Sequence, residues 1–125
     1  MNKLVKLLTV ASLSTVVGMA GVSAADAAKG AKVFRKCKAC HTLEVGKRRL
    51  GPNLAGIIGR KAGTVEKFRY SKAMAATDIV WDEANLSMFL QKPKKFIKGT
   101  KMAFAGLRKP ADIENLLAYL KENGG

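Results

Sequence analysis

Both cysteines and the single histidine of this 125-residue chain fall within five consecutive residues, Cys37-Lys38-Ala39-Cys40-His41. Two thiols separated by two residues, with an imidazole directly after the second, is the spacing of covalent haem attachment. Each thiol adds across one vinyl group of the porphyrin to give a thioether, and His41 becomes an axial ligand of the iron. The residues therefore predict one haem c held through Cys37 and Cys40. Two other uses of the motif match poorly. A redox dithiol precedes a helix in a strand–helix fold, and no alternating strand pattern is present. A zinc site needs further sulfur or nitrogen ligands, and the chain has no third cysteine and no second histidine.

With His41 committed, the other axial position of the iron falls to a different residue type or stays open. Beyond the N-terminal leader described below, the methionines are Met74, Met88 and Met102. Met88 lies in a helical pattern, where a thioether usually fills core space. Met74 sits in a segment of no clear type. Met102 lies in Gly99-Thr100-Lys101-Met102, a non-helical run between Pro93 and Pro110 that can carry sulfur to a metal. Chemistry alone favours Met102 and leaves the other two open.

The motif needs helices to hold it. Asp26 is placed to cap a helix running through Ala31, Phe34 and Cys37, with Ala27, Ala31 and Phe34 on one face. From Thr42 to Thr64 six residues, Gly46, Gly51, Pro52, Gly56, Gly59 and Gly63, predict loop. A loop of this length inside a small domain usually has a function, and wrapping a cofactor is one. A short helix is expected around Ser71–Ala76. Asp82 caps a clearer one, with Ala84, Leu86, Phe89 and Leu90 at helical spacing, limited by Gln91-Lys92-Pro93. Lys94 to Thr100 is basic and ends in Gly99-Thr100. The last helix has Pro110 in its first turn, Asp112 near its positive end, and a stripe of Ile113, Leu116, Leu117 and Leu120. The fold class is all-α with substantial loop.

Lys3 and Lys6, the apolar stretch Leu7–Val17 and the small residues up to Ala25 describe a secretory leader. Cleavage after Ala24 leaves 25–125 as one domain of roughly 100 residues. An uncleaved membrane anchor is the alternative, but Ser, Thr, Gly and Ala dilute a stretch that must supply about 20 apolar residues. Export suits a cysteine pair consumed by thioether formation, because an oxidising compartment would otherwise link the two.

Met102 and its surroundings then acquire a context. The motif together with Gly51-Pro52-Asn53-Leu54, Gly59-Arg60-Lys61-Ala62-Gly63, Tyr70, Trp81, Pro93-Lys94-Lys95 and Gly99-Thr100-Lys101-Met102-Ala103-Phe104-Ala105-Gly106 resembles the small soluble class I cytochrome c family. The resemblance runs from Lys29 to Lys121. It implies the small class I fold, with N- and C-terminal helices crossing and loops wrapping one haem. It implies Met102 as sixth ligand and the Pro52 carbonyl as acceptor from the second nitrogen of His41. Arg60, Tyr70, Trp81 and Thr100 match the polar network around the haem propionates. Without the family, Tyr70 and Trp81 read as ordinary core. Gly30 and Phe34 match the face that crosses Leu116 and Tyr119. Two positions depart from the pattern: Phe89 stands where many relatives have tyrosine, and the loop Thr42–Gly51 is about one residue shorter than in the mitochondrial type.

The formal charge of +14 is the least specific signal, attracting acids, nucleic acid or anionic membrane alike. Neither aromatic interleaving nor a nucleic-acid motif accompanies it. The cations cluster at Lys36, Lys38, Lys47, Arg48 and Arg49 and again at Lys92, Lys94, Lys95, Lys98 and Lys101. Both clusters flank the iron ligands in sequence and would steer acidic partners toward the haem edge. The resemblance implies a monomeric periplasmic electron carrier, not an enzyme, between a quinol–cytochrome c reductase and a terminal oxidase or photosynthetic reaction centre. A haem enzyme or gas sensor would instead need an open sixth position, and the cytochrome subunit of a dehydrogenase would differ only in its partner.

Overall fold

Asp26 starts the first helix as its residue type predicts, its carboxylate accepting from the Lys29 amide at 3.1 Å. In the computed structural model, which describes residues 24–125, α1 runs Ala27–Lys38. The leader expected over 1–24 lies, but for Ala24, outside the described residues. α2 (Lys72–Ala76) is capped by Ser71 and α3 (Glu83–Gln91) by Asp82. α5 (Pro110–Glu122) begins on its proline. Among the described residues the one extended pairing is an isolated bridge between Lys61 and Val80. The protein is all-α, and none of these helices is long and apolar enough to cross a membrane.

α1 packs against α5 as the main helix pair. Val33 and Phe34 of α1 are buried with Ile113, Leu116, Leu117 and Leu120 of α5, the stripe read from the sequence. Phe34 stacks on Tyr119 with ring centres 5.2 Å apart. At the crossing, Gly30 is buried against the backbone of Asn115. A Cβ there would lie inside the Asn115 carbonyl oxygen and 2.7 Å from the Tyr119 Cβ. Asn115 also reaches back, its Oδ1 accepting from the Asp26 amide at 2.7 Å. Position 30 must therefore lack a side chain for α1 to sit this close.

Three expectations need correction. Pro93 ends α3 but also opens a one-turn helix, α4 (Pro93–Phe96), in the basic stretch that the sequence assigns to no helix; its fixed φ suits the first position of a helix. Met88 does not fill the core: it is 49 % exposed, because α3 turns Leu86 and Phe89 inward instead. Ala84, placed on that inward stripe, is also exposed. Met74, which had no assignment, is the core methionine at 9 % exposure.

Gly30→Ala is expected to lower the stability of the haem-loaded protein by about 2 kcal/mol or more, the cost of overpacking a rigid contact. Chemical denaturation followed by helical circular dichroism measures it; an unchanged midpoint would mean that the helices separate freely.

Candidate functional site

α1 carries the motif to its C-terminal end. Cys37 is its penultimate residue, and the turn continues as the Cys40 and His41 amides both donate to the Cys37 carbonyl, at 3.1 and 2.9 Å. Both cysteines are free thiols, partly buried. Burial pushes the Cys37 thiol up to about 11, against the nearby charge of Lys36. The helix end and the turn after it thus present two thiols and an imidazole close together.

The His41 ring is held from two sides. Its Nδ1 lies 2.7 Å from the Pro52 carbonyl oxygen, which makes Nδ1 the protonated nitrogen and leaves Nε2 with a free lone pair. Gly51 passes against the ring: a Cβ there would fall 2.6 Å from Cε1 and 2.8 Å from Nδ1. The Gly51 amide also donates to the Cys40 carbonyl at 2.6 Å, tying the loop to the motif. Burial, with the charge of Arg60 adding to it and the Pro52 bond opposing, holds the His41 pKa below the usual imidazole value. A neutral, oriented imidazole is what a metal requires of a histidine ligand.

The other predicted residues converge through the backbone. The Gly59 amide donates to Trp81 O, the Trp81 amide to Arg60 O and the Ala62 amide to Ile79 O, each at 2.8 Å. This ladder sets Arg60 beside Trp81. Arg60 donates from Nη1 to Ala55 O at 3.1 Å, and burial lowers its pKa while Tyr70 opposes that shift. The Tyr70 hydroxyl accepts from the Val65 amide at 3.2 Å. Trp81 is buried, its ring 4.9 Å from Phe89 and 6.5 Å from Phe96. Phe89, in the tyrosine's place, is thus an apolar wall against the indole.

Met102 lies half-buried on the irregular run before α5, packed against the core. Thr100 Oγ1 accepts from its amide at 3.4 Å, and a turn from the Thr100 amide to Ile97 O holds that segment. Of the three candidate methionines, Met74 is locked in the core and Met88 faces outward. Met102 alone combines partial burial with a loop position.

This donor set fits a covalent haem: two unpaired thiols, one free imidazole nitrogen in a cradle a single Cβ would fill, and a partly buried thioether. Several residues that hold the site had no signal in the sequence. Gly51 reads there as a turn former and as part of the Gly51-Pro52-Asn53-Leu54 stretch, with no sign that it leaves room for the His41 ring. Asn53 donates to the Glu44 and Lys47 carbonyls, Arg48 to Lys67 O and Arg49 to Lys38 O. Side-chain bonds to distant carbonyls have no spacing to betray them.

The comparisons agree with this chemistry. The cytochrome c family profile matches residues 27–124. Cytochrome c2 iso-2 of Magnetospirillum fulvum is 51 % identical over 88 residues, 70 % of this chain and 92 % of its own. Cytochrome c-550 of Nitrobacter winogradskyi is 44 % identical over 90 residues, 71 % of this chain and 83 % of its own. The solved structure of cytochrome cH from Methylobacterium extorquens superposes with a TM-score of 0.74 at 43 % identity, covering 78 % of this chain and 98 % of that one.

Gly51→Ala tests the cradle. The added methyl must push the imidazole off Pro52, at a cost of about 1–3 kcal/mol. A lowered denaturation midpoint, with the haem still resistant to extraction, is expected; an unchanged midpoint would show that the ring has room to move.

Proposed function

The chain belongs to the cytochrome c family, and we propose on that premise that it carries electrons in the periplasm between a quinol–cytochrome c reductase and a terminal oxidase or photosynthetic reaction centre. Members of the family are electron carriers rather than enzymes, and this chain holds one haem c through Cys37 and Cys40. When bound, that group supplies a one-electron iron couple, Fe(III)/Fe(II).

The protein's own residues would set the conditions of that couple. His41 would ligate through Nε2, with Pro52 fixing the ring plane and keeping Nδ1 protonated. Met102 would hold the group through its thioether, with the Thr100 hydroxyl accepting from the Met102 amide. A His/Met pair in an apolar setting favours a relatively high potential. Arg60, Tyr70 and Trp81 would serve the haem propionates, whose burial requires such donors. With His41 and Met102 both holding the group, no site would remain for a substrate, which would separate a carrier from a haem enzyme. The leader pattern at residues 1–24 supports export to the periplasm.

The observation that carries this reading is the His41 clamp: one imidazole nitrogen is spent on Pro52 at 2.7 Å and one is left for a metal. The oxidised protein should show the weak methionine-sulfur-to-iron band at the red end of its spectrum. Rapid carbon monoxide binding by the reduced protein, without that band, would overturn the reading in favour of an enzyme or sensor.

Two variants extend the test. Met102→Ala is expected to lower the midpoint potential and let carbon monoxide bind, while the haem stays covalently attached. A parental spectrum would remove Met102 from the iron. Neutralising the exposed Lys94, Lys95 and Lys101 together should slow oxidation by host membranes about tenfold at low salt and little at high salt, because steering by surface charge is screened. Equal rates at low salt would take these lysines out of partner recognition.

A further inference from the structure

Val45 and Leu50 are 86 % and 83 % exposed, the two most exposed of the large apolar side chains among the described residues. Single exposed apolar residues are ordinary. These two stand five residues apart on one short loop, 44–51, beside the haem-attachment turn. Nothing in the fold uses them: removing both would cost the core no burial.

The loop that displays them is nevertheless held firmly. The Lys47 amide turns back to Glu44 O at 3.2 Å, and Asn53 clamps the Glu44 and Lys47 carbonyls from below. Arg48 bonds Lys67 O at 3.2 Å and Arg49 bonds Lys38 O at 3.3 Å. Gly51 closes the loop onto Cys40. A loop fixed at this many points loses little freedom when a partner covers it.

The surroundings say what that partner is. Lys47, Arg48 and Arg49 flank the two apolar side chains, and each guanidinium spends one donor on a carbonyl and keeps others for a carboxylate. A cleft of about 280 Å³ meets the loop at Glu44 and is bordered also by His41, Lys38, Leu43 and Tyr119. The aromatic side chains typical of membrane-surface anchoring are missing from residues 44–51. We propose that Val45 and Leu50 are the apolar anchor of a docking surface for an acidic redox protein, with Arg48 and Arg49 clasping carboxylates at its rim. This rests on the electron-carrier reading and adds to it the contact that holds the complex once charge has assembled it. Charge governs arrival, whereas a buried apolar contact governs departure.

The test uses the haem-loaded double variant Val45→Ser/Leu50→Ser and the parent, each reduced and then oxidised by host membranes, intact and detergent-solubilised. The variant is expected to raise KM about tenfold with kcat kept, a loss consistent with uncovering two aliphatic side chains. Its dependence on ionic strength should match the parent's. The midpoint potential should also match, which separates docking from damage to the site. A KM within twofold of the parent's overturns the proposal while leaving the carrier reading intact. A defect seen with intact membranes but absent after solubilisation overturns it in favour of the lipid surface. A parent that neither preparation oxidises sinks the carrier reading, and this one with it.

Discussion

The backbone of one helix touches the backbone of another at Gly30 and Asn115, and the site is built outward from that contact. α1 is twelve residues long, a length at which an isolated helix is marginal in water. Its persistence comes from the side on which it meets α5, where Val33 and Phe34 bury against the leucine stripe. Asn115 serves both halves of the contact, its Oδ1 accepting from the amide of Asp26, the cap of α1, while its carbonyl excludes a side chain at position 30. Cys37 lies in the last turn of that same helix, with Cys40 and His41 in the turn that follows it. A helix free to slide or splay at Gly30 would move Cys37 and His41 with it.

The fixed helix end is then met by loops that carry no regular structure and so depend on individual bonds. Pro52 and Gly51 act as a pair on His41, one by hydrogen bonding and the other by leaving space. The Arg60–Trp81 ladder brings together residues twenty-one positions apart without a true sheet. In each case backbone groups do the placing. Placement by backbone explains how a stretch dense in glycine can still be a precise cradle.

The helices and the motif were legible because both rest on local spacing. Asp26 and Asp82 cap as their residue types predict, and Ile113, Leu116, Leu117 and Leu120 are buried as their period predicts. Met88 and Met74 were not legible, because burial of a short helix depends on which neighbour lies over it rather than on its own pattern. α4 escaped for a related reason: proline gives the same signal at a helix start and at a helix end. The roles of Gly51, Asn53 and Arg48 lie in contacts between loops, for which a single sequence holds no period. The cytochrome c resemblance supplied Pro52 and Arg60, which spacing by itself could not.

The bond between Asp26 and Asn115 spans 89 residues, and that separation has a meaning in time. A chain delivered from its N-terminus presents α1 several seconds before α5 exists to meet it, at ordinary rates of synthesis. During that interval α1 lacks the helix against which it packs. In the folded chain both thiols are partly buried. The fold therefore sets an order of events: the chemistry at Cys37 and Cys40 is easiest before the protein has finished becoming itself.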